Sequence, residues 1–428
     1  SHNRMLSDQG PSNLLDMDMQ SLSREQDMST ERSSLQETCA IQWRYAPEIG
    51  DELYAFPDDF YRSPSQNGTG AQLNITPESA PWLEALPDLA APSFENLDEL
   101  DGFGLNAGVF LRFSGPISVP PIGAEASISS DALILAEVND DGAFTRVPYE
   151  ARLGEDGHDL YLRPLSPLRE GRRHALIMTD AYLSAEGGCI DTAPTLKEML
   201  EDGSEHPELR RLSDRLRPIV TWSAESSQRL VAVIQFTTHT HLKLLYDVAH
   251  DIRERTYSWS APPECEPEES WVRCEGIFEA ADFRVSKVIK ISDSQPTWSI
   301  PVTVWIPEER EGPAPVIIGA HGINSNRSQM NGLVERMLPL GYAVIAIDAL
   351  EHGDHPSREA SETDLDALRI LGISLTERSI DIRALRGNFN QTTLDRLQLI
   401  QLIRDDPDVN SDGVSDLDFN QIGYFGIS

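Results

Sequence analysis

The chain's 428 residues are 39% hydrophobic and 25% charged, a globular composition in a length that exceeds one ordinary domain. Its 70 acidic and 35 basic side chains leave a formal charge of −35, which argues against nucleic acid or an anionic bilayer as a partner. Nothing approaches the roughly 18 consecutive apolar residues of a membrane-spanning helix, so membrane contact is expected only through a substrate.

Residues 1–38 are polar and without sustained periodicity, the pattern of a disordered leader or linker. The chain opens Ser1-His2-Asn3-Arg4, with neither an initiator Met nor an apolar signal core, and it closes inside a motif. A processed or incomplete chain is expected, for which a missing signal peptide says nothing about secretion. From 39 to about 185, short β-type runs follow one another at 109–113, 133–138, 159–163 and 174–179. Gly, Pro, Asn and Asp punctuate them at the spacing of a β-sandwich, with a hairpin turn at Asn139-Asp140-Asp141-Gly142. His158 and His174 stand alone and read as surface or strand residues.

Residues 194–255 read as helical around one strand. Pro207 to Arg217 places Leu209, Leu212 and Leu216 on one face, 230–238 is β-like, and 241–253 is helical again. His239, His241 and His250 are near neighbours in sequence but lack a metal-ligand spacing. Residues 259–271, with Pro262, Pro263 and Pro267, read as a linker or exposed loop. Cys265 and Cys274 flank a Pro- and Glu-rich segment, a small disulfide loop, which leaves Cys39 and Cys189 to pair by elimination. The alternative is four reduced thiols, and compartment decides between the two. Beyond this point, 283–291 and 298–306 alternate like an antiparallel pair.

The text then changes to strand, helix, strand, helix, the signature of a mainly parallel sheet. Residues 315–320 form a continuous apolar run that leads into His321-Gly322-Ile323-Asn324. A glycine there lets the backbone turn sharply and aim an N–H at a developing oxyanion. Gln329 to Leu340 is amphipathic and closed by Gly341; 342–348 is a second buried strand ending at Asp348, before His352 and His355. A long helix is expected from about Glu377 to Arg404. The acidic turn that follows alternates Asp408, Asn410 and Asp412 before Gly413, like the opening of a calcium loop, with the Val414 carbonyl and Asp416 completing the set. Phe419 stands where an EF-hand has its bidentate Glu, so the loop is closer to an Asp/Asn-rich calcium turn; a structural calcium is expected there, and none for catalysis. Last comes a strand and then Gly426-Ile427-Ser428, half of a nucleophile elbow, in which a small residue two before the serine makes room for a strained turn.

A buried strand leading to His-Gly, a strand ending in Asp, and a strand leading to Gly-x-Ser, in that order, resemble the α/β-hydrolase family over roughly residues 275–428. By that resemblance Ser428 is the nucleophile, and the His321-Gly322-Ile323 loop supplies one oxyanion-hole N–H, from Ile323. The catalytic acid and histidine follow the serine in that family, so His321, His352 and His355 are expected to brace loops or line a pocket, and residues 1–428 alone to be inactive. With residues 162–179 and 236–238, the chain further resembles secreted bacterial lipases and lipase-like virulence factors that carry a β-rich N-terminal domain. The expected organisation is thus a leader at 1–38, an immunoglobulin-like β-domain at 39–190, a connecting region at 191–256, a linker at 257–274, and the first part of a hydrolase sheet at 275–428. The expected activity is hydrolysis of a carboxylic ester or lipid through an acyl-enzyme, outside the cell or on its surface. The alternatives are a peptidase or acyltransferase of the same fold, or a surface-binding protein that has lost its chemistry.

Overall fold

Two stretches of β-text and one of α/β-text fold around separate apolar cores. The computed structural model describes residues 39–427 apart from 67, 87–93, 95–96, 140, 202–203, 293, 359–365 and 376–377. The leader expected at 1–38 lies outside the described residues.

The first core is enclosed by two sheets. One is six-stranded and contains β1 (Ile41–Arg44), β2 (Ala55–Phe56), β3 (Val109–Phe113), β6 (Tyr149–Leu153), β7 (Asp159–Pro164) and β9 (Ile190–Asp191). Its order is β9-β1-β3-β7-β6, with β2 also on β3. The other runs β10-β8-β4-β5, from β4 (Leu133–Val138), β5 (Phe144–Arg146), β8 (Arg173–Thr179) and β10 (Leu230–Thr237). Strands β4 and β10 are buried at every position, and their text is apolar except for the buried Glu137, Gln235 and Thr237. In β3 and β7 burial alternates, and every second residue faces out. A disulfide joins Cys39, before β1, to Cys189, before β9, with Cα atoms 5.1 Å apart. The immunoglobulin-like arrangement expected here needs qualification. Two sheets do share a core, but β1 and β9 pair in parallel and a long helix belongs to the same core, features that an antiparallel sandwich lacks.

That helix is α1 (Pro207–Ser226), which starts with Pro at its first position and runs through Pro218. An interior proline costs about 3 kcal/mol. Burying Ile219, one residue on, contributes about 1.5–3 kcal/mol, and Trp222 packs on the same core, so the helix runs on beyond the amphipathic stretch at 207–217.

The first core takes residues up to Phe236, and the second begins with Val248 and Ile252 of α2 (His241–Glu254). Residues 191–256, read as a connector, therefore contribute to both cores. The second core holds a six-stranded sheet of order β11-β12-β13-β15-β14-β16. Its strands are β11 (Glu264–Pro267), β12 (Trp271–Ala281), β13 (Thr297–Pro307), β14 (Ala314–Ala320), β15 (Ala343–Ile347) and β16 (Leu417–Gly426). Strands β15, β14 and β16 are parallel; β13 runs against β12 and β15.

Two expectations are corrected in this sheet. The linker at 257–274 contains β11 and the start of β12, which pair antiparallel and carry the Cys265–Cys274 disulfide at opposed positions. The partner of β13 is β12, not 283–291, which fold into a two-residue-per-strand hairpin of Arg284–Val285 with Val288–Ile289. β12 was hidden because Arg273, Glu275 and Glu279 make it look like surface, although Cys274, Phe278 and Ala280 between them are fully buried. Helices α3 (Asn331–Met337) and α4 (Ile382–Asp405) complete the unit. Asp381 caps α4 by accepting from the Ala384 N–H at 3.0 Å, so the helix begins at Ile382. The expected start at Glu377 lies outside the described residues.

Candidate active site

β14, β15 and β16 end along one edge of the sheet, and the residues that carry the chemistry in the sequence gather there. The pairing of β14 with β16 runs to Ala320 opposite Gly426, and the Ile427 N–H donates to the Ala320 carbonyl at 2.9 Å. Ile427 is bonded to Ser428, and Ala320 to His321. Ser428 itself lies outside the described residues.

The loop after β14 is held by a set of hydrogen bonds that leaves one donor over. His321 is buried; its Nδ1 lies 2.9 Å from the Gly322 carbonyl and its Nε2 accepts from the Ala349 N–H at 2.9 Å. A carbonyl only accepts, so these partners put the proton on Nδ1. Burial lowers the His321 pKa, ahead of the hydrogen bond to Gly322 and the Asp348 charge, which oppose the shift. His321 is thus neutral and ties the end of β14 to the end of β15. The Gly322 N–H donates to Gln329 Oε1 at 2.8 Å, and the Asn324 N–H to His352 Nε2 at 3.3 Å. Between them, among the described residues nothing accepts from the Ile323 N–H. Asn324 follows in the left-handed region at φ 65°, a turn that Asn tolerates better than most residues.

Asp348, at the end of β15, is a fastener for two loops. Its carboxylate accepts from the Arg327 N–H at 2.6 Å and the Asp354 N–H at 2.8 Å, and pairs with the Arg327 guanidinium. Arg327 also meets Asp354 at 2.9 Å and donates to the Thr303 hydroxyl at 2.9 Å. Burial works to lower the Arg327 pKa, but Asp348 and Asp354 outweigh it and leave the guanidinium raised. Gly353 is required in this arrangement: at φ 51°, a Cβ there would lie 2.2 Å from Asp348 Oδ2. His352 is engaged at both nitrogens, with Nδ1 2.7 Å from the Leu350 carbonyl. His355 is buried against Asp395 of α4, Nε2 to Oδ2 3.3 Å, and its Nδ1 meets the Ser357 hydroxyl at 2.9 Å. Both ring nitrogens of His321 and His352 are thus hydrogen-bonded, whereas His355 Nε2 is buried beside Asp395 without a hydrogen-bond partner among the described residues.

The acidic loop braces β16 by its own bonds. Asp416, almost fully buried, pairs with Arg310 and accepts from the Val409 and Asn410 N–H groups at 2.8 and 3.0 Å. Its carbonyl accepts from the Ala314 N–H at 2.8 Å, which docks the start of β16 on β14. Asp408 accepts from the N–H groups of Asp412 and Gly413, and Asp412 from that of Val414. Asp416 therefore does not fit the expected calcium set, because Arg310 and two N–H groups already hold its oxygens. Among the described residues no three His, Cys, Asp or Glu side chains are placed to hold a metal ion. The sequence showed this acidic run but not Arg310, which lies about a hundred residues away in the chain.

No protein-family model matches the chain, and no curated protein matches it. Solved structures do. An acetyl xylan esterase from a Paenibacillus species is 17% identical, with 44% of this chain and 51% of that one covered at a TM-score of 0.30. Acetyl xylan esterase 1 from a Thermoanaerobacterium species is 17% identical over 44% and 50% of the two chains, at a TM-score of 0.27. An S-formylglutathione hydrolase from Agrobacterium tumefaciens is 14% identical over 39% and 52%, at a TM-score of 0.24. This chain spans about half the length of the structures it matches.

Proposed function

We propose that the chain carries the nucleophile half of an α/β-hydrolase and that the whole protein hydrolyses carboxylic esters through an acyl-enzyme on Ser428. One observation carries the reading: the Ile323 N–H, which has no acceptor among the described residues, sits in the loop that leaves β14 beside the end of β16, where Gly-x-Ser begins. In such a sheet the loop after the corresponding strand supplies one oxyanion donor, and the residue after the nucleophile supplies the other. Ser428 attacks the ester carbonyl; the Ile323 N–H stabilises the charge that forms on its oxygen; the alcohol leaves; water then releases the acid. A donor of this kind contributes about 3–4 kcal/mol to lowering the barrier. The hydrogen bonds at both ring nitrogens of His321 and His352 and the burial of His355 against Asp395 support a base elsewhere, which the family's chain order of serine, acid, histidine puts after Ser428.

Two disulfides support the further reading that the protein works in an oxidising compartment, secreted or at the cell surface. A lipase of the secreted bacterial type is the finer form of the proposal. Labelling of the full-length protein by a fluorophosphonate probe, lost in Ser428→Ala, is the expected result. Undiminished labelling of that variant refutes the assignment. A series of p-nitrophenyl esters then sorts lipase from short-chain esterase by whether kcat/KM rises or falls from acetate to decanoate.

A further inference from the structure

The outer face of the first six-stranded sheet carries a groove that the ester reading does not use. In β3 and β7 the residues Leu111 and Leu160 turn into the core, so Phe110 and Tyr161 turn out. They are cross-strand partners with ring centroids 5.3 Å apart. On the other side of Tyr161, its β6 partner Arg152 lays a guanidinium over the ring, 4.5 Å from the centroid. These side chains and Ile122 line a space of about 810 Å³, the size of a small-molecule site. Ile122 is 82% exposed, an apolar side chain open to solvent in the lining it shares with the two aromatic residues.

The charges around this space are unequal. Arg163 is paired with Glu150 at 2.8 Å, and Arg112, beyond the groove, is held by both oxygens of Asp159 at 2.9 and 3.1 Å. Arg152 has no carboxylate within ion-pair distance among the described residues, on a chain of formal charge −35. A lone guanidinium fixed on an aromatic ring at the mouth of an apolar slot complements a carboxylate that ends an apolar chain: the fork matches two oxygens, and the rings and Ile122 cover the hydrocarbon. A polyhydroxylated ligand would need several free donors and acceptors, but Glu150 and Arg163 satisfy each other, which leaves Asn106 at the rim.

We propose that this groove binds an amphipathic carboxylate, with its head on Arg152 and its hydrocarbon along Phe110, Tyr161 and Ile122. Isothermal titration of the full chain with decanoate tests it. Saturable one-to-one binding is expected, with 1-decanol binding more weakly than decanoate. Arg152→Gln weakens decanoate by about tenfold or more and barely changes 1-decanol, whereas Ile122→Asp weakens both. Both positions are exposed, and unchanged melting temperatures show that the variants are folded. Absence of saturable binding, equal affinity for decanoate and 1-decanol, or an Arg152→Gln affinity equal to the parent's overturns the proposal. The readout uses no turnover, so it is independent of the fate of Ser428.

Discussion

Gly353 and Asp348 show how residues with no reactive role of their own can decide a site's geometry. A methyl group at 353 would occupy the space of the Asp348 carboxylate, which fastens the Arg327 and Asp354 loops to the end of β15. Gly353→Ala combines a left-handed backbone with an overpacked contact, together about 2–4 kcal/mol, and a lower midpoint in urea unfolding is the expected outcome. His174 gives a pH-dependent counterpart. Buried in β8 and stacked on Phe236, it is pushed down to about 4 by desolvation, which outweighs its hydrogen bond to the Arg172 carbonyl. Its folded pKa lies below the unfolded value of about 6.5, so the unfolded chain binds more protons between those limits. Stability from this residue is full above pH 6.5 and falls as pH drops toward 4. From pH 7 to 4.5 the parent should lose on the order of 2 kcal/mol more than His174→Gln, read from denaturant curves at the two pH values. Equal losses would show that His174 does not titrate in this way.

At the scale of elements, the sheet is held at β12 by polar groups that a hydrophobic pattern does not reveal. Gln391 and Gln398 lie seven residues apart on one face of α4 and are fully buried. Gln398 accepts from the Ala281 N–H at 2.6 Å and the Tyr257 hydroxyl at 3.1 Å; Gln391 donates to the Ala281 carbonyl at 2.9 Å and accepts from the Phe283 N–H at 2.8 Å. Both stand in for the strand partner that β12 loses where the chain turns away. Gln398→Met keeps the side-chain volume but strands the Ala281 N–H and the Tyr257 hydroxyl, an expected cost of about 1–3 kcal/mol for each orphaned group in thermal or chemical unfolding. The same contrast explains what was legible in the sequence. β14 and β15, buried on both faces, appear as continuous apolar runs, and the His321-Gly322-Ile323 turn follows from where the first of them stops. β12 did not appear, since Arg273, Glu275 and Glu279 interrupt its apolar pattern, and neither did the roles of Gln391, Gln398 or Arg310, whose partners are a hundred or so residues distant. Local periodicity reports which face is buried, but it carries no record of which distant backbone group a polar side chain satisfies.

Across the whole molecule, the two cores meet through charge and hydrogen bonding. Glu99 of the first unit pairs with Arg383 at 2.5 Å and Arg386 at 3.3 Å, both in the first two turns of α4. Asp101 accepts from the Thr240 N–H at 2.9 Å where α2 begins. The division expected at 190 and 256 was displaced because amphipathic text reveals that a helix has a buried face without revealing which core buries it. The other side of the second unit is unlike this joint. β16 pairs with β14 along one edge, and among the described residues no strand pairs with the other edge, where Tyr424 is 63% exposed and Phe419 and Phe425 are close to half exposed. An open, aromatic strand edge is a template for further strands, from another copy as readily as from any other source. Preparations of these 428 residues should therefore self-associate as concentration rises, and Tyr424→Lys should move the sedimentation profile toward the monomer. A profile independent of concentration in the parent would count against this. The edge that brings Gly-x-Ser beside the His321 loop is thus also the surface through which a preparation of these 428 residues would associate, so its state in solution should depend on how dilute it is kept.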